Sequence, residues 1–435
     1  MGTARLSTQT LFYSLISVFT GIITGIIVAR VLGPAGKGQA AVAVAAPVVL
    51  AFMGNLGIPS AVVYHISQKN ADQKAFFASV TVLNLALGLV VVALVWTMRA
   101  PIMATILKGL DARTLQLSLL GVPLAFLFLA YSALLQGRSF VWEFNKTQIT
   151  QTVSSLLLSI LFVVVLRWGV FGAVLAVLIS MLIRTVESAI YIRAKIGISR
   201  RVRWSICRSL LAFGWQVHLG SAISTLNTKL DLFILNALAG NSAVGIFSLA
   251  VSFAEMMHQI PEAMRVVIHP RLVADREYAN RATPRACRQM LLIGAVSGAI
   301  AIALSKPVIR LLYGARFVPA VVPFAVLVPG VIAMGITRLL FADLQARGKP
   351  ILTAYGMALG LAPHVALDLL LIPIIGPAGA AAAASISYLI VTAYCAAVFS
   401  RLSGVPALDL VRLRMADLKV YRDALARFRE KHGPS

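Results

Sequence analysis

The chain alternates long apolar stretches with short polar ones. About 20 apolar residues in a helix span the hydrocarbon core of a bilayer, and a helix satisfies its own backbone polar groups there. The pattern therefore predicts about twelve transmembrane helices. They lie near residues 9–32, 38–65, 76–98, 115–137, 147–166 and 170–193, and then near 209–238, 242–268, 286–313, 319–346, 351–373 and 377–400.

The sequence around the first hairpin returns about 207 residues later, which indicates an internal repeat. Gly33 corresponds to Gly240, and Gly38 corresponds to Gly245. The Leu-Gln-Gly-Arg stretch that ends at Arg138 is echoed, at nearly the same offset, by the Leu-Gln-Ala-Arg stretch that ends at Arg347. The predicted fold is therefore an all-α integral membrane protein of two six-helix lobes related by this repeat.

The repeat predicts four segments. The N-terminal lobe covers residues 1–193 and the C-terminal lobe covers 209–400, with a basic cytoplasmic linker at 194–208 between them. Residues 401–435 place apolar side chains at three- and four-residue steps among Lys and Arg residues. This pattern predicts a basic amphipathic helix on the cytoplasmic membrane surface, with binding to a partner as the alternative.

Composition excludes a water-soluble globule, because 59% of the residues are hydrophobic, only 12% are charged and the mean hydropathy is +0.89. The net charge of +24 does not indicate nucleic-acid binding, since most Lys and Arg residues lie in loops between spans. These basic loops alternate along the chain, and the positive-inside rule places them in the cytoplasm. We therefore expect a multi-pass protein of the bacterial inner membrane with both termini cytoplasmic.

Ionisable side chains at bilayer depth are costly, so they are the candidate functional residues. The eighth predicted span carries Glu255, His258, Glu262 and Arg265 at three- and four-residue steps, on one helix face. The candidates for substrate binding are cations and imidazoles: Lys229, Arg265, Arg338, His218, His258 and Arg30. The candidates for charge balance or ion coupling are acids: Asp231, Glu255, Glu262 and Asp343.

Two interpretations of these residues stay open. In the first, a wet cavity between the lobes uses its cations to hold an anionic headgroup, and a diphosphate suits arginine geometry. In the second, the acids only neutralise the cations and hold the helices together. Arg30, Arg184 and Glu187 lie near predicted span ends, where they could instead reach lipid headgroups at the interface.

Motifs for cofactors and catalysis are missing from the sequence. It contains no Walker-type phosphate loop, no paired His or Cys spacing for a structural metal and no nucleophile elbow. Its three cysteines do not suggest a disulfide framework. We therefore expect no cofactor, no metal and no enzymatic activity, and a polysaccharide polymerase or ligase would need a sizeable external loop that the sequence lacks.

The hairpin from Ala29 to Gly38, its echo from Asp231 to Gly245, and Leu344-Gln-Ala-Arg-Gly-Lys-Pro350 resemble the Wzx-type oligosaccharide flippases. These are the O-antigen and polysaccharide transporters of the multidrug/oligosaccharidyl-lipid/polysaccharide exporter superfamily. The resemblance covers essentially the whole chain. It implies a MATE-like V-shaped bundle around a cationic cavity.

The resemblance also implies a function: alternating access that carries a polyprenyl-diphosphate-linked oligosaccharide from the inner to the outer leaflet. The implied partners are this lipid, membrane lipids, and polysaccharide polymerases or glycosyltransferases. Thr24 occupies the position equivalent to Asp231, so the acid is present in one half only. A lipid II flippase and a multidrug cation antiporter of the same superfamily remain alternatives, although an antiporter would favour acids over cations in its cavity.

Overall fold

The computed structural model describes residues 3–67, 73–105, 107–197 and 201–414. These residues are almost entirely helical and include no β-strand. The helices of the first part are α1 (Thr3–Gly54), α2 (Ile58–Ile66), α3 (Gln73–Thr97), α4 (Arg99–Ala104), α5 (Ala112–Gly137), α6 (Val141–Ser159) and α7 (Gly169–Ile196). Those of the second part are α8 (Trp204–Met257), α9 (Gln259–Ala274), α10 (Arg276–Leu312), α11 (Val321–Ala346), α12 (Ile351–Ile375) and α13 (Pro377–Ser403).

Two of these helices are interrupted by one glycine each. Gly33 in α1 has φ 68° and ψ −176°, and Gly240 in α8 has φ 79° and ψ 177°, a backbone conformation that only glycine adopts without strain. Uninterrupted, either helix would be about 80 Å long, far more than a bilayer needs. Each therefore supplies two spans.

The described residues contain ten helices that are long and apolar enough to cross a membrane. Since α1 and α8 are both among them and each supplies two spans, the total agrees with the predicted twelve. The repeat is visible in the backbone as well. Left-handed glycines recur at the same separation as Gly33 and Gly240, in the pairs Gly169 with Gly376 and Gly197 with Gly404. The predicted internal repeat and all-α membrane fold are confirmed.

By the density of internal contacts the chain divides into two compact units. The first contains the residues up to Leu249 together with Val308–Ala320 and Ile372–Pro377. The second contains Ala250–Pro307, Val321–Leu371 and the residues from Ala378 onward. This division does not follow the predicted lobe boundary at 194–208, because the first part of α8 groups with the first unit; the lobe boundary stays a prediction.

The first unit has a large apolar core where α2, α3, α5 and α7 meet the start of α8. Its buried side chains include Ile66, Leu134, Ile192 and Leu210. The side chain of Arg184 in α7 is buried in this unit, whereas one interpretation of the sequence had it reaching outward to lipid headgroups. Its guanidinium lies over the rings of Phe128 and Phe144 and donates a hydrogen bond to Gln151 at 2.8 Å. These cation–π contacts and this hydrogen bond take the place of water around the buried charge.

The second unit departs from the sequence prediction in its helix boundaries. The eighth predicted span is not one helix: α8 ends at Met257 and α9 begins at Gln259. Pro261 accounts for this break, since proline removes a backbone donor and its ring clashes with the preceding turn. The stretch between the eighth and ninth predicted spans, residues 269–285, is almost entirely helical, because α9 extends to Ala274 and α10 begins at Arg276.

The predicted tail helix is only partly within the described residues. α13 continues to Ser403, residues 404–406 are not helical, and Ala407–Leu410 form a short 3-10 helix. Gly404 has φ 73° and Pro406 follows it, a combination that stops a helix. Residues 415–435 lie outside the described part of the chain, and an amphipathic helix there stays a prediction.

Candidate functional site

Four of the predicted site residues come together in the second unit, where α9 packs against α11. Arg265 donates to both carboxylate oxygens of Glu262, with Nε to Oε2 at 3.0 Å. Both side chains are half-buried. Arg338 of α11 lies close enough to Glu262 for its charge to act on that carboxylate. One acid thus faces two cations.

His258 belongs to the same cluster and lies at the break between α8 and α9. Arg338 lies close enough to His258 for its charge to act on the imidazole ring as well. The formal charges of Glu262, Arg265 and Arg338 sum to a net positive value. A half-buried site of this kind can bind an anion such as a phosphate, with the guanidinium groups as donors.

The other two predicted acids of this unit are Glu255 and Asp343. Glu255 lies in the last turn of α8 and its side chain is exposed. Asp343 is fully buried near the end of α11 and is paired with Arg347. Asp343 therefore pairs with Arg347, and its role in charge balance or ion coupling stays a prediction.

Arg347 was not singled out as a functional candidate from the sequence. Its guanidinium binds both oxygens of Asp343 and donates to Asn280 at 2.7 Å, and it lies over the ring of Phe399. Thr283 donates to the same carboxylate at 3.0 Å. These bonds join α10 and α11, so the group is a structural clamp; the four-residue spacing of Asp343 and Arg347 was the available signal.

The remaining predicted residues lie in the first unit. Arg30 is at the end of the first half of α1 and donates through Nε to the carbonyl of Leu312 at 2.7 Å, and also to the carbonyl of Leu311. Both carbonyls lie in the last turn of α10, where no backbone N–H within the helix is available to them. Arg30 therefore caps the C-terminus of α10 with a positive charge, which the helix dipole favours there. Its predicted role in substrate binding is not supported by any further contact among the described residues.

His218, Lys229 and Asp231 lie along α8. His218 and Asp231 are buried, while Lys229 is half-buried. His218 and Trp215, one turn earlier, have ring centroids 6.3 Å apart. The ten predicted residues are therefore distributed over both units, and four of them meet around Arg265 and Arg338.

Polar residues beside the two glycine breaks were missed from the sequence. Gln39 donates to the carbonyl of Gly109 at 2.8 Å, and Asn236 donates to the carbonyl of Lys108 at 3.1 Å. Both bonds fix the loop before α5 against α1 and α8. Asn236 and Arg30 thus occupy nearly equivalent places in the repeat, and each binds backbone that follows the third span of the other half.

His364 and Asp368 form a further pair within α12, with Nε2 3.9 Å from Oδ2. Both side chains are almost completely buried. A buried carboxylate beside an imidazole is a feature that hydropathy alone does not reveal, because it depends on which helices pack around α12.

The profile of the family described as "Polysaccharide biosynthesis protein" matches residues 6–274, more than half of the chain. A protein of Shigella flexneri named "Putative O-antigen transporter" is 26% identical over 275 residues, which cover 61% of this chain and 64% of that protein. The match thus spans somewhat less than two thirds of that relative.

Solved structures resemble the chain over most of its length. A lipid II flippase, MurJ in an inward closed conformation, has a TM-score of 0.79 at 18% identity and covers 93% of this chain and 89% of its own. An inward-facing multidrug resistance MATE family transporter of the MOP superfamily has a TM-score of 0.71, also at 18% identity, with 91% and 95% covered. The fold is therefore that of the MOP superfamily, and the chain, a multi-pass membrane protein, belongs to the polysaccharide biosynthesis protein family.

Proposed function

We propose that the protein is a flippase that moves a polyprenyl-diphosphate-linked oligosaccharide from the cytoplasmic to the outer leaflet by alternating access. Family membership and the transporter names of its relatives support a transporter rather than an enzyme. The polysaccharide made from this lipid would be an O-antigen, a capsule or an exopolysaccharide. The proposal adds the substrate class and the direction of transport to the family assignment.

The observation that carries the proposal is the excess of cations around Arg265 and Arg338. Glu262 can neutralise one guanidinium, which leaves the other charge available to an anionic substrate. A diphosphate provides several oxygens for bidentate bonds with arginine. A transporter of cationic drugs needs the opposite charge in its site, so this cluster argues against a multidrug antiporter.

The proposed location is the bacterial inner membrane, with both termini in the cytoplasm. The support is the alternation of basic loops along the chain, as the positive-inside rule requires. In this orientation the second half of α1 leads back to the cytoplasm from the external break at Gly33. Polysaccharide polymerases and glycosyltransferases are the proposed partners, because the flipped lipid must be made on one side and consumed on the other.

The decisive experiment measures the leaflet distribution of the lipid-linked oligosaccharide in cells depleted of this protein. A lectin or glycosidase that cannot cross the membrane reports the outer-leaflet fraction, and mass spectrometry identifies the glycan. We expect the lipid to accumulate in the cytoplasmic leaflet on depletion and to return to the outer leaflet when the chain is restored.

Two other outcomes would contradict the proposal. A lipid that reaches the outer leaflet normally but stays unpolymerised would indicate an enzyme of the polymerase class. A lipid unaffected in amount, leaflet and processing would indicate a transporter of another solute, with a cation antiporter as the next candidate.

A further inference from the structure

A cavity of about 560 Å³ lies in the second unit between α9 and the first turns of α10. This volume is within the range of small-ligand sites. One side of the cavity is apolar and the other carries hydrogen-bond donors, two of them guanidinium groups. The lining residues are Met264, Ile268, Tyr278, Arg281, Ala282, Arg285, Ala286 and Gln289. None of them belongs to the cluster around Arg265 and Arg338.

The length of α10 places this cavity beside the headgroups of the membrane. The helix has 37 residues and is therefore about 55 Å long, whereas the hydrocarbon core is about 30 Å thick. The apolar part from Met290 to Leu312 is sufficient to cross it. The first turns, which carry several arginines, accordingly extend beyond the hydrocarbon.

The donors of the cavity form a row along one edge of α10. Arg281, Arg285 and Gln289 follow one another at four-residue steps, which puts them on the same side of the helix. A guanidinium group binds the oxygens of a phosphate as a planar fork. Arg281 also pairs with Glu277 at 2.9 Å, but both side chains are exposed, and such pairs hold their partners weakly.

A small buried core beside the cavity holds the first turns of α10 in place. Ala279 packs with Leu272 of α9 and Ala342 of α11 in a small buried core, against which Ile268, Tyr278 and Ala282 also lie. Asp275 caps the start of the helix by accepting from the backbone of Glu277 at 2.8 Å. The cavity wall is therefore fixed before any ligand binds, which lowers the entropic cost of binding.

We propose that this cavity binds the phosphate group of an anionic membrane lipid. The phosphate would lie between Arg281 and Arg285, and the apolar part of the lipid would lie against Met264 and Ile268. The apolar half of the cavity and its depth at the interface favour a lipid over a free anion. The inference does not depend on the proposed transport activity.

Isothermal titration calorimetry on the purified full-length protein in a neutral detergent tests the proposal. Short-chain phosphatidylglycerol is compared with phosphatidylcholine of the same chain length. We expect the anionic lipid to bind more tightly. Arg285→Gln should weaken its binding about tenfold, since a charge-assisted phosphate contact is lost. Arg276→Gln is the matched control, because Arg276 is exposed on the same helix and does not line the cavity.

Three results would overturn the inference. Equal losses in the Arg285 and Arg276 variants would mean general attraction to a basic surface. Equal affinity for the two lipids would remove the role of the arginines. Inorganic phosphate that binds as tightly as phosphatidylglycerol would show a free-anion site without a lipid component. Melting temperatures measured for each variant separate lost binding from lost folding.

Discussion

Gly38 in the second half of α1 lies directly against the carbonyl group of Asn241 in α8: a Cβ atom at Gly38 would overlap that oxygen. The converse contact also exists, because a Cβ atom at Gly245 would overlap the carbonyl oxygen of Pro34. Gly38 and Gly245 are equivalent in the repeat, and so are Pro34 and Asn241. The two turns therefore pack reciprocally, backbone against backbone, within the first unit.

Gly38→Ala and Gly245→Ala should each destabilise the protein, because the carbonyl they meet belongs to the backbone and cannot rotate away. Overpacking of this kind costs about 1–3 kcal/mol. Thermal unfolding in detergent measures the effect. Gly21→Ala is the control, since Gly21 is in the same helix with nothing within 4 Å of an added Cβ, and it should be neutral or slightly stabilising. Equal melting temperatures for all three variants would contradict the contact.

Arg30→Ala should destabilise the protein by about 1 kcal/mol, because the last carbonyls of α10 lose a capping cation. Transport measured per folded molecule should stay close to wild type if the side chain acts only as a cap. Arg310→Ala is a suitable control, since Arg310 is exposed near the same helix end. A large transport loss at unchanged stability would return Arg30 to the substrate site.

Arg347→Ala should destabilise the protein by about 3–5 kcal/mol, because it leaves the carboxylate of Asp343 buried without its counter-charge. The double variant Asp343→Ala with Arg347→Ala should recover part of this loss, since no charge then stays buried. Lys349→Ala, at an exposed position two residues further, should have little effect. Chemical unfolding monitored by circular dichroism would give the three values, and a neutral Arg347→Ala would refute the clamp.

Arg265→Ala and Arg338→Ala should impair transport while the protein still inserts and folds, because both side chains are half-buried and belong to the cationic cluster. A loss of about tenfold or more in outer-leaflet lipid is expected for a charge-assisted phosphate contact. Arg113→Ala, at an exposed position in the first turn of α5, serves as the control. Wild-type transport at equal protein level would remove the altered arginine from the site.

The proposed topology, with both termini in the cytoplasm, places Lys108 outside, after the third span. Lys108→Cys should therefore react with a membrane-impermeant maleimide added from outside the cell. Lys349→Cys, at the opposite end of the spans, should react only after permeabilisation. Both positions are exposed, and the native cysteines Cys207, Cys287 and Cys395 are buried, so the wild-type chain should give little signal. The reverse labelling pattern would place the termini outside the cytoplasm.

The span count, the repeat and the positions of the turns could be predicted because each depends on neighbouring residues. A helix across lipid requires a continuous apolar run, and a sharp break requires a residue such as Gly33 that tolerates a left-handed backbone. The same local rules failed at the eighth span. The three- and four-residue pattern of its side chains continues past His258, but Pro261 interrupts the helix there.

The sequence by itself determined that this is a membrane protein of twelve spans built from one unit twice. Only the tertiary structure decided which charges meet: Asp343 with Arg347, Arg30 with the end of α10, and Glu262 with Arg265 near Arg338. The physical reason is the distance along the chain between interacting residues, because hydropathy and periodicity describe one helix at a time. Arg30 binds a carbonyl 282 residues away, and that pairing depends on how separate helices pack.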